Sequence, residues 1–426
     1  MLYSWRPKDS LNICLGSYIL KNISRYSSFS ITFTSFMQSF TVSNRIIVTC
    51  SNRLAPYLQQ EIAALGYKSV RIFKTGVELY GSLQDCIRLN LNLRCASQVL
   101  FSLKEFRAAD ASTLYNTLVS YPWELLIPAD GYFSISSNVT NDTISNNLFA
   151  NVKVKDAIAD RFREKTGARP NSGAELKGVV VHLYWKEDVA EIFLDTSGET
   201  LSKHGYRKIP GKAPMLESLA AATILAGNWN RQSPFINPMC GSGTLAIEAA
   251  LIATNRRPGL YRNNYSFMHI LGYKDEYYQS EYALLEKQVK EVEGLKIIAT
   301  DISEDAIHVS KVNAGIAGVE ELISFAICDF EATEVIENSN AVIYLNPEYG
   351  DRLGDEIELE KTYKRMGDFL KQKCKGCTGY IFTGNLELAK KIGLKPKRRI
   401  EFYTSKIDCR LFEYELYAGT RVAPKE

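Results

Sequence analysis

The stretch that most constrains this chain is Phe235-Ile236-Asn237-Pro238-Met239-Cys240-Gly241-Ser242-Gly243-Thr244, followed at once by the helix-forming run Leu245 to Leu251. An apolar segment meets a Gly-x-Gly turn, and the turn opens into a helix. Strand, glycine loop, helix is how an open α/β sheet approaches a nucleotide-like ligand. The glycines permit tight turning and close backbone approach, and the helix N-terminus offers free N–H groups. By itself, a Gly-x-Gly after a strand also serves as an ordinary tight turn. It gains meaning when an acid ends the next strand and a reactive motif ends a later one.

The sequence beyond it alternates strands and helices, the pattern of an α/β fold with a mainly parallel sheet. Lys296 to Asp301 reads as a strand ending in an acid, and Glu304 to Ala317 as a helix. Leu322 to Ile327 is a strand that runs into Cys328-Asp329. Ala341 to Leu345 is an apolar strand that runs into Asn346-Pro347-Glu348-Tyr349. A helix over Glu356 to Lys373, a strand over Thr378 to Thr383 and two closing strands, Ile400–Ser405 and Arg410–Tyr417, complete this part. Between the motif helix and the second strand lies an insertion, about Arg257 to Gly294, dense in tyrosine and phenylalanine. Its rings could stack on bases, but packing over the sheet is the reading preferred.

In a parallel sheet the carboxyl ends of the strands share one edge, so the four loops converge on one crevice. An acid at Asp301 is placed to accept hydrogen bonds from ribose hydroxyls, and one at Asp329 to receive an adenine amine. Asn346 to Tyr349 points to the reaction. An exocyclic base amine is a poor nucleophile because its lone pair is delocalised into the ring. To attack a methyl sulfonium, its N–H protons must be held by acceptors. Asn346 can offer a side-chain carbonyl and Pro347 a backbone carbonyl, while Tyr349 offers a flat face for a base taken out of its stack. Such chemistry needs no metal; positioning carries most of the rate.

Ahead of this domain, residues 44–84 read as strand, helix, strand, strand, a small α+β unit, and residues 85–196 as a second unit. The second unit holds an amphipathic helix, Val152 to Lys165, carrying Lys153, Lys155, Arg161, Arg163 and Lys165. Beside it lie an Asn-rich loop around Asn141 and the loop Arg169-Pro170-Asn171. A solvated helix face and an RNA-backbone contact both fit those charges; the setting tilts toward RNA. A basic connector over 197–215 leads into the C-terminal domain, 216–426. Residues 1–43 are Ser-rich and acid-poor. They read as sequence upstream of a true start at Met37 rather than as a targeting peptide, and are left out of the expected fold.

These motifs, in this order, resemble the THUMP-domain class I RNA methyltransferases, over roughly Asn44 to Tyr417. The likeness is greatest to the N-terminal, guanine-N2-modifying half of the bacterial 23S rRNA enzymes. It is carried by Asn141-Asp142-Thr143, Lys153 to Ile158, Arg169-Pro170-Asn171, Gly205-Tyr206-Arg207, Asn237 to Thr244 and Asn346 to Gly354. The resemblance implies a ferredoxin-like unit and a THUMP domain that grips RNA. A Rossmann-like domain with a mainly parallel seven-stranded sheet, using S-adenosylmethionine, would follow them. It implies cofactor contacts from Asn237, Pro238, Cys240, Gly241, Gly243, Thr244, Asp301, Ile302, Asp329 and Phe330. Catalysis would fall to Asn346, Pro347 and Tyr349, and RNA contacts to Asn141, Lys153, Lys155, Arg161, Arg169 and Arg207. Two residues depart from the family pattern: Asn237 stands where an acid is usual, and Glu348 where a second proline is usual. Methylation of tRNA and a catalytically silent RNA-binding assembly factor are the alternatives.

Composition sets limits. The 426 residues suffice for two or three domains, and no run approaches the ~18–20 apolar residues needed to span a bilayer. Arg6, Lys8, Lys21 and Arg25 against Asp9 account for the whole net charge of +3, so any nucleic-acid footprint is a local patch. The nine cysteines include one close pair, Cys374 and Cys377, without a second pair or a histidine pair nearby. Surface thiols in a cytoplasmic protein without metal are therefore expected.

Overall fold

The computed structural model describes residues 40–144, 146–211, 214–336, 338–349, 356–404 and 407–417. The stretch ahead of Phe40, the connector residues Lys212 and Ala213, and Gly350 to Gly354 lie outside them.

The first eight strands are β1 (Asn44–Thr49), β2 (Arg71–Phe73), β3 (Gly76–Gly81), β4 (Gln98–Arg107), β5 (Tyr132–Thr140), β6 (Asn171–Ser172), β7 (Val179–Lys186) and β8 (Val189–Asp195). They form one sheet in the order β2-β3-β1-β4-β8-β7-β5-β6. The long β4 is the joint: one edge pairs antiparallel with β1, and the other, from Leu100 onward, with β8. The two small units expected from the sequence thus share a continuous sheet.

Among the described residues, four α-helices belong to this half: α1 (Ala55–Ala64), α2 (Leu83–Asn92), α3 (Ala111–Val119) and α4 (Asn147–Thr166). Their ends follow local chemistry. Ser82 and Asp85 close a capping box on α2, with the Asp85 carboxylate 2.7 Å from the Ser82 N–H. The Asn146 side chain accepts from the Leu148 N–H at 2.8 Å to start α4, and Gly167, at φ 68°, ends it. Ala150, Val154, Ala157, Ile158 and Phe162 recur along the buried face of α4, which leaves its lysines outward.

The C-terminal sheet contains β9 (Phe235–Pro238), β10 (Ile297–Asp301), β11 (Ile323–Ile327), β12 (Val342–Leu345), β13 (Thr378–Thr383), β14 (Arg398–Thr404) and β15 (Ile407–Glu415). Its order is β11-β10-β9-β12-β13-β15-β14, with β9 to β13 parallel and β15 antiparallel to both neighbours. The helices are α5 (Glu217–Ala226), α6 (Thr244–Ala253), α7 (Asp275–Lys287), α8 (Glu304–Ile316), α9 (Glu356–Lys373) and α10 (Leu386–Lys391). From β9 the chain moves to β10 on one side and later returns to β12 on the other. That reversal opens a crevice beyond the carboxyl end of β9.

A column of rings fixes α5 across this sheet. Phe235, Tyr344 and Tyr380, on adjacent strands, stack with centroids 5.0 and 4.5 Å apart. The Tyr344 hydroxyl donates to the Thr223 carbonyl at 3.1 Å and that of Tyr380 to Gly227 at 2.8 Å. Only glycine fits at 227, where a Cβ would lie 2.0 Å from the Tyr344 oxygen. The insertion's aromatics pack inward, but against the N-terminal half rather than over the C-terminal sheet: Tyr265 and Phe267 are buried and stacked 5.0 Å apart, and Ser266 between them accepts the Val180 N–H of β7 at 2.9 Å. Phe40, which the expected fold left out, is 4% exposed and stacks on Tyr277 at 5.7 Å, so it belongs to the core. The cysteines correct another expectation. Except for half-buried Cys328, those in the described residues are buried rather than surface thiols.

A buried polar joint ties the two halves. The Glu61 carboxylate accepts the backbone N–H groups of Arg94 and Cys95, and the Arg94 guanidinium donates to the Leu251 and Arg256 carbonyls at 3.1 and 2.6 Å. His204 lies 2.8 Å from the Arg94 carbonyl through Nε2 and 2.7 Å from Glu248 Oε1 through Nδ1, and Tyr206 donates to the same Oε1. A carbonyl can only accept, so Nε2 carries a proton; a carboxylate opposite Nδ1 calls for a second. Desolvation pulls the His204 pKa down, but the Glu248 charge and the hydrogen bonds together outweigh it, and the net direction is up.

Candidate functional site

The glycine loop takes its shape from its neighbours. Met239, Gly241 and Gly243 all have positive φ, at 57°, 55° and 78°. Gly243 must be glycine on two counts, because a Cβ there would also lie 3.0 Å from the Ser310 side chain of α8. Ser310 donates to the Gly241 carbonyl at 2.7 Å, and the Gly241 N–H donates to Asp301 Oδ2 at 2.9 Å. Gly243 is the N-cap of α6 and supplies no side-chain acceptor, so the first N–H groups of that helix are left for a ligand.

This loop forms one wall of a cleft of about 610 Å³. Asn237, Cys240, Gly241, Thr244, Asp301, Ile302, Asp329, Phe330, Asn346 and Pro347 all line it, so the four strand ends do converge. Three expected residues do not line it. Pro238 is the buried end of β9, and Gly243 acts through the turn. Tyr349 is half-buried against the β14–β15 hairpin, its hydroxyl engaged with Thr404 and Cys409 and its pKa pushed up to about 12 by burial. Its hydroxyl is thus turned to the hairpin.

Two atoms in the cleft stand out. The Asn237 Nδ2 donates to the Tyr344 carbonyl at 2.9 Å, which fixes the amide's orientation because that carbonyl cannot donate. Asn237 Oδ1 is then left buried, and among the described residues it has no hydrogen-bond partner; Asn346 Oδ1 is in the same state. Buried acceptors are normally satisfied, so each marks a place where a donor is to be supplied. Asn237 therefore offers a neutral acceptor where the resembled family has a charged one.

At the other end of the cleft, Asp301 keeps spare acceptor capacity beyond its bonds to Gly241 and to the Ser303 N–H at 3.0 Å. Ile302 is 73% exposed beside it, an apolar side chain free to cover a ring. Burial raises the Asp329 pKa, but Arg365 at 2.8 Å and the Glu331 N–H outweigh it, so the carboxyl sits below its usual value. Arg365, from mid-α9, also binds Glu331 at 2.6 Å and lies 4.8 Å over the Phe330 ring. The sequence reading missed it, as it missed Asn313 on α8. Asn313 accepts the Lys208 and Ile209 N–H groups at 3.2 Å and so holds the connector over the glycine loop. Burial raises the Cys240 pKa to about 12; its thiol is a packing group and no nucleophile.

The expected RNA contacts divide. Arg207 has a side chain 8% exposed, which binds Glu217 at 2.8 Å and the Met215 carbonyl at 2.6 Å. Arg161, 12% exposed, is bidentate to Glu124 at 2.5 and 2.9 Å. Asn141 is half-buried and engaged locally at the surface, donating to the Glu187 carbonyl and accepting from the Thr143 N–H at 2.8 Å. Arg161 and Arg207 are thus engaged within the fold. Arg163 and Lys165 are paired with Asp160 and Glu164. Lys153, Lys155 and Arg169 have no ion pair among the described residues, and Lys153 lies 5.5 Å from the Phe149 ring beside the exposed Leu148 and Val152.

The fold and cleft define an α/β protein with a cleft suited to a nucleoside-bearing ligand at the switch point of a parallel sheet, preceded by a module built on its own eight-stranded sheet. Residues 45–100 match the family described as RlmL ferredoxin-like domain, 108–195 the THUMP domain, and 204–413 the RMKL-like methyltransferase domain. The chain belongs to the THUMP-domain methyltransferases. It is 34% identical over 383 residues to the ribosomal RNA large subunit methyltransferase K/L of Syntrophotalea carbinolica, covering 87% of this chain and 53% of that protein. The namesake from Psychromonas ingrahamii is also 34% identical, with 49% of its length covered, so the chain spans about half the length of these relatives. Among solved structures, a possible methylase from Clostridium difficile 630 is matched along its whole chain by 89% of this one, with TM-score 0.80 and 26% identity. A predicted N6-adenine-specific DNA methylase from Listeria monocytogenes is matched over 97% of its chain by 88% of this one, with TM-score 0.79 and 29% identity.

Proposed function

We propose that the chain transfers a methyl group from S-adenosylmethionine to the exocyclic N2 amine of a guanine in 23S rRNA, in the cytoplasm. The observation that carries this reading is the pair of buried, unpartnered acceptors, Asn237 Oδ1 and Asn346 Oδ1, lining one cleft between the glycine loop and the Asn-Pro turn. The first suits the amino group of the cofactor's methionine part; the second suits an N–H of the target amine. The names of the curated relatives support an rRNA substrate.

The cofactor supplies a methyl group on a sulfonium sulfur. The chain's own residues do the rest. The open N-terminus of α6 and the Gly241 turn would hold the cofactor's carboxylate, and Asp301 the ribose hydroxyls. Ile302 and Phe330 would flank the adenine, with Asp329, kept ionised by Arg365, accepting its amine. Asn346 Oδ1 and the Pro347 carbonyl would accept hydrogen bonds from the two N2–H groups, directing the nitrogen lone pair into the cleft; one of these protons leaves to solvent once the methyl group is bonded to N2. No base chemistry by Cys240 is involved. On the RNA side, Lys153, Lys155 and Arg169 would contact phosphates.

Methylation of purified rRNA and tRNA with labelled S-adenosylmethionine, followed by mass identification of the product nucleoside, tests the reading. N2-methylguanosine in 23S rRNA supports it. Label in tRNA alone, methyladenosine as the product, or no cofactor binding would each overturn it.

A further inference from the structure

Glu348 lines the same cleft as Asn346 and Pro347 and is exposed. Its backbone carbonyl is held, accepting from the Tyr363 hydroxyl at 3.4 Å. Its carboxylate has no ion pair among the described residues. The turn therefore brings to one wall three consecutive residues that carry acceptors: an amide oxygen on Asn346, the backbone carbonyl of Pro347 and the carboxylate of Glu348.

Guanine presents three adjacent hydrogens on the edge that carries its amine, two on N2 and one on N1. Asn346 and Pro347 account for the N2 pair. The N1–H lies next to them and needs one more acceptor. Ionised glutamate is an acceptor-only group, and its hydrogen bonds are about twice as strong as neutral ones. A base with a lone pair at N1 would instead face the carboxylate with like polarity. Proline, the residue that the resembled family places here, has no side-chain acceptor.

We propose that Glu348 is a specificity residue that accepts the guanine N1–H and thereby selects a purine carrying a donor beside the target amine. This rests on the guanine-N2 reading above. Glu348 touches neither the cofactor nor the transferring methyl group; it reads the base.

The test uses 23S rRNA fragments with either guanosine or 2-aminopurine riboside at the mapped target position. 2-Aminopurine keeps the N2 amine but has a bare N1. Wild-type protein is expected to methylate the 2-aminopurine fragment about 10- to 100-fold less efficiently in kcat/KM. In Glu348→Gln, whose amide can either donate or accept, and in Glu348→Pro, that ratio is expected to collapse toward unity. Each ratio compares two substrates on one preparation, so a partly inactive variant cancels out. A wild-type ratio retained by Glu348→Gln, or a wild-type ratio near unity, overturns the role of Glu348. The guanine-N2 reading fails separately, if wild-type protein places no methyl on N2 of the guanosine fragment.

Discussion

At the scale of single residues, the most informative position is Asn237. Its amide ties β9 to β12 through the Tyr344 carbonyl and leaves its oxygen for the cleft. A carboxylate at 237 would keep an acceptor for the cofactor but would set a charge against the Tyr344 carbonyl. Asn237→Asp is therefore predicted to lower the stability of the ligand-free protein by about 1–3 kcal/mol in urea denaturation, and to recover part of the loss when S-adenosylmethionine is added. An unchanged urea midpoint would contradict this. Asp301 carries a second prediction: Asp301→Ala should weaken S-adenosylhomocysteine binding in calorimetry by about 10- to 100-fold, since a charged acceptor is lost. Asp301, Asp329 and Asn346 were legible in the sequence because the end of an apolar run fixes where a strand-end residue projects. Arg365 and Asn313 were not. Each lies inside a helix and meets its partners across tens of residues of chain, with no local pattern to announce it.

At the scale of elements, burial divides the charges that the sequence groups together. The basic run on α4 fitted a solvated face or an RNA contact and tilted toward RNA; of its charges, Arg161 crosses to Glu124 and pairs there, and in the connector Arg207 anchors to Glu217. Replacing Arg207 with methionine strands a buried Glu217, whose pKa burial already raises, and is predicted to cost about 3–5 kcal/mol of stability. Arg169→Ala should behave oppositely, leaving the melting temperature unchanged while reducing the salt slope of RNA binding by ~1. A matched loss of stability in both variants would contradict the division.

The joint around His204 predicts a pH dependence. Its folded-state pKa is raised above 6.5, so the folded state binds a proton that the unfolded state has released. The stabilisation is complete below about pH 6.5 and is lost as the pH climbs through the raised value. Thermal melts of wild type should therefore fall across that window. His204→Gln should be less stable below it and show a flatter profile through it; an unchanged profile would show that His204 does not carry the proton.

At the scale of the whole molecule, the alternation of strands and helices after residue 216 was readable because each parallel strand needs a helical return, and both leave clear periods. The continuity of the N-terminal sheet was not. It depends on β4 using both edges, and hydrophobic pattern reports faces rather than edges. Phe40 was likewise hidden, because its partners Tyr273 and Tyr277 lie in a distant insertion. In the proposed reading, the cleft would hold the methyl donor and the target base, while Lys153, Lys155 and Arg169, which have no ion pair among the described residues, would hold the RNA backbone. The most direct test is nucleoside analysis of 23S rRNA from cells lacking this protein, complemented with wild type or with Asn346→Ala. N2-methylguanosine should be lost at one position, restored by wild type, and restored at a rate lower by about 100-fold by the variant. Unchanged N2-methylguanosine in the deleted cells, or full restoration by Asn346→Ala, would contradict the account.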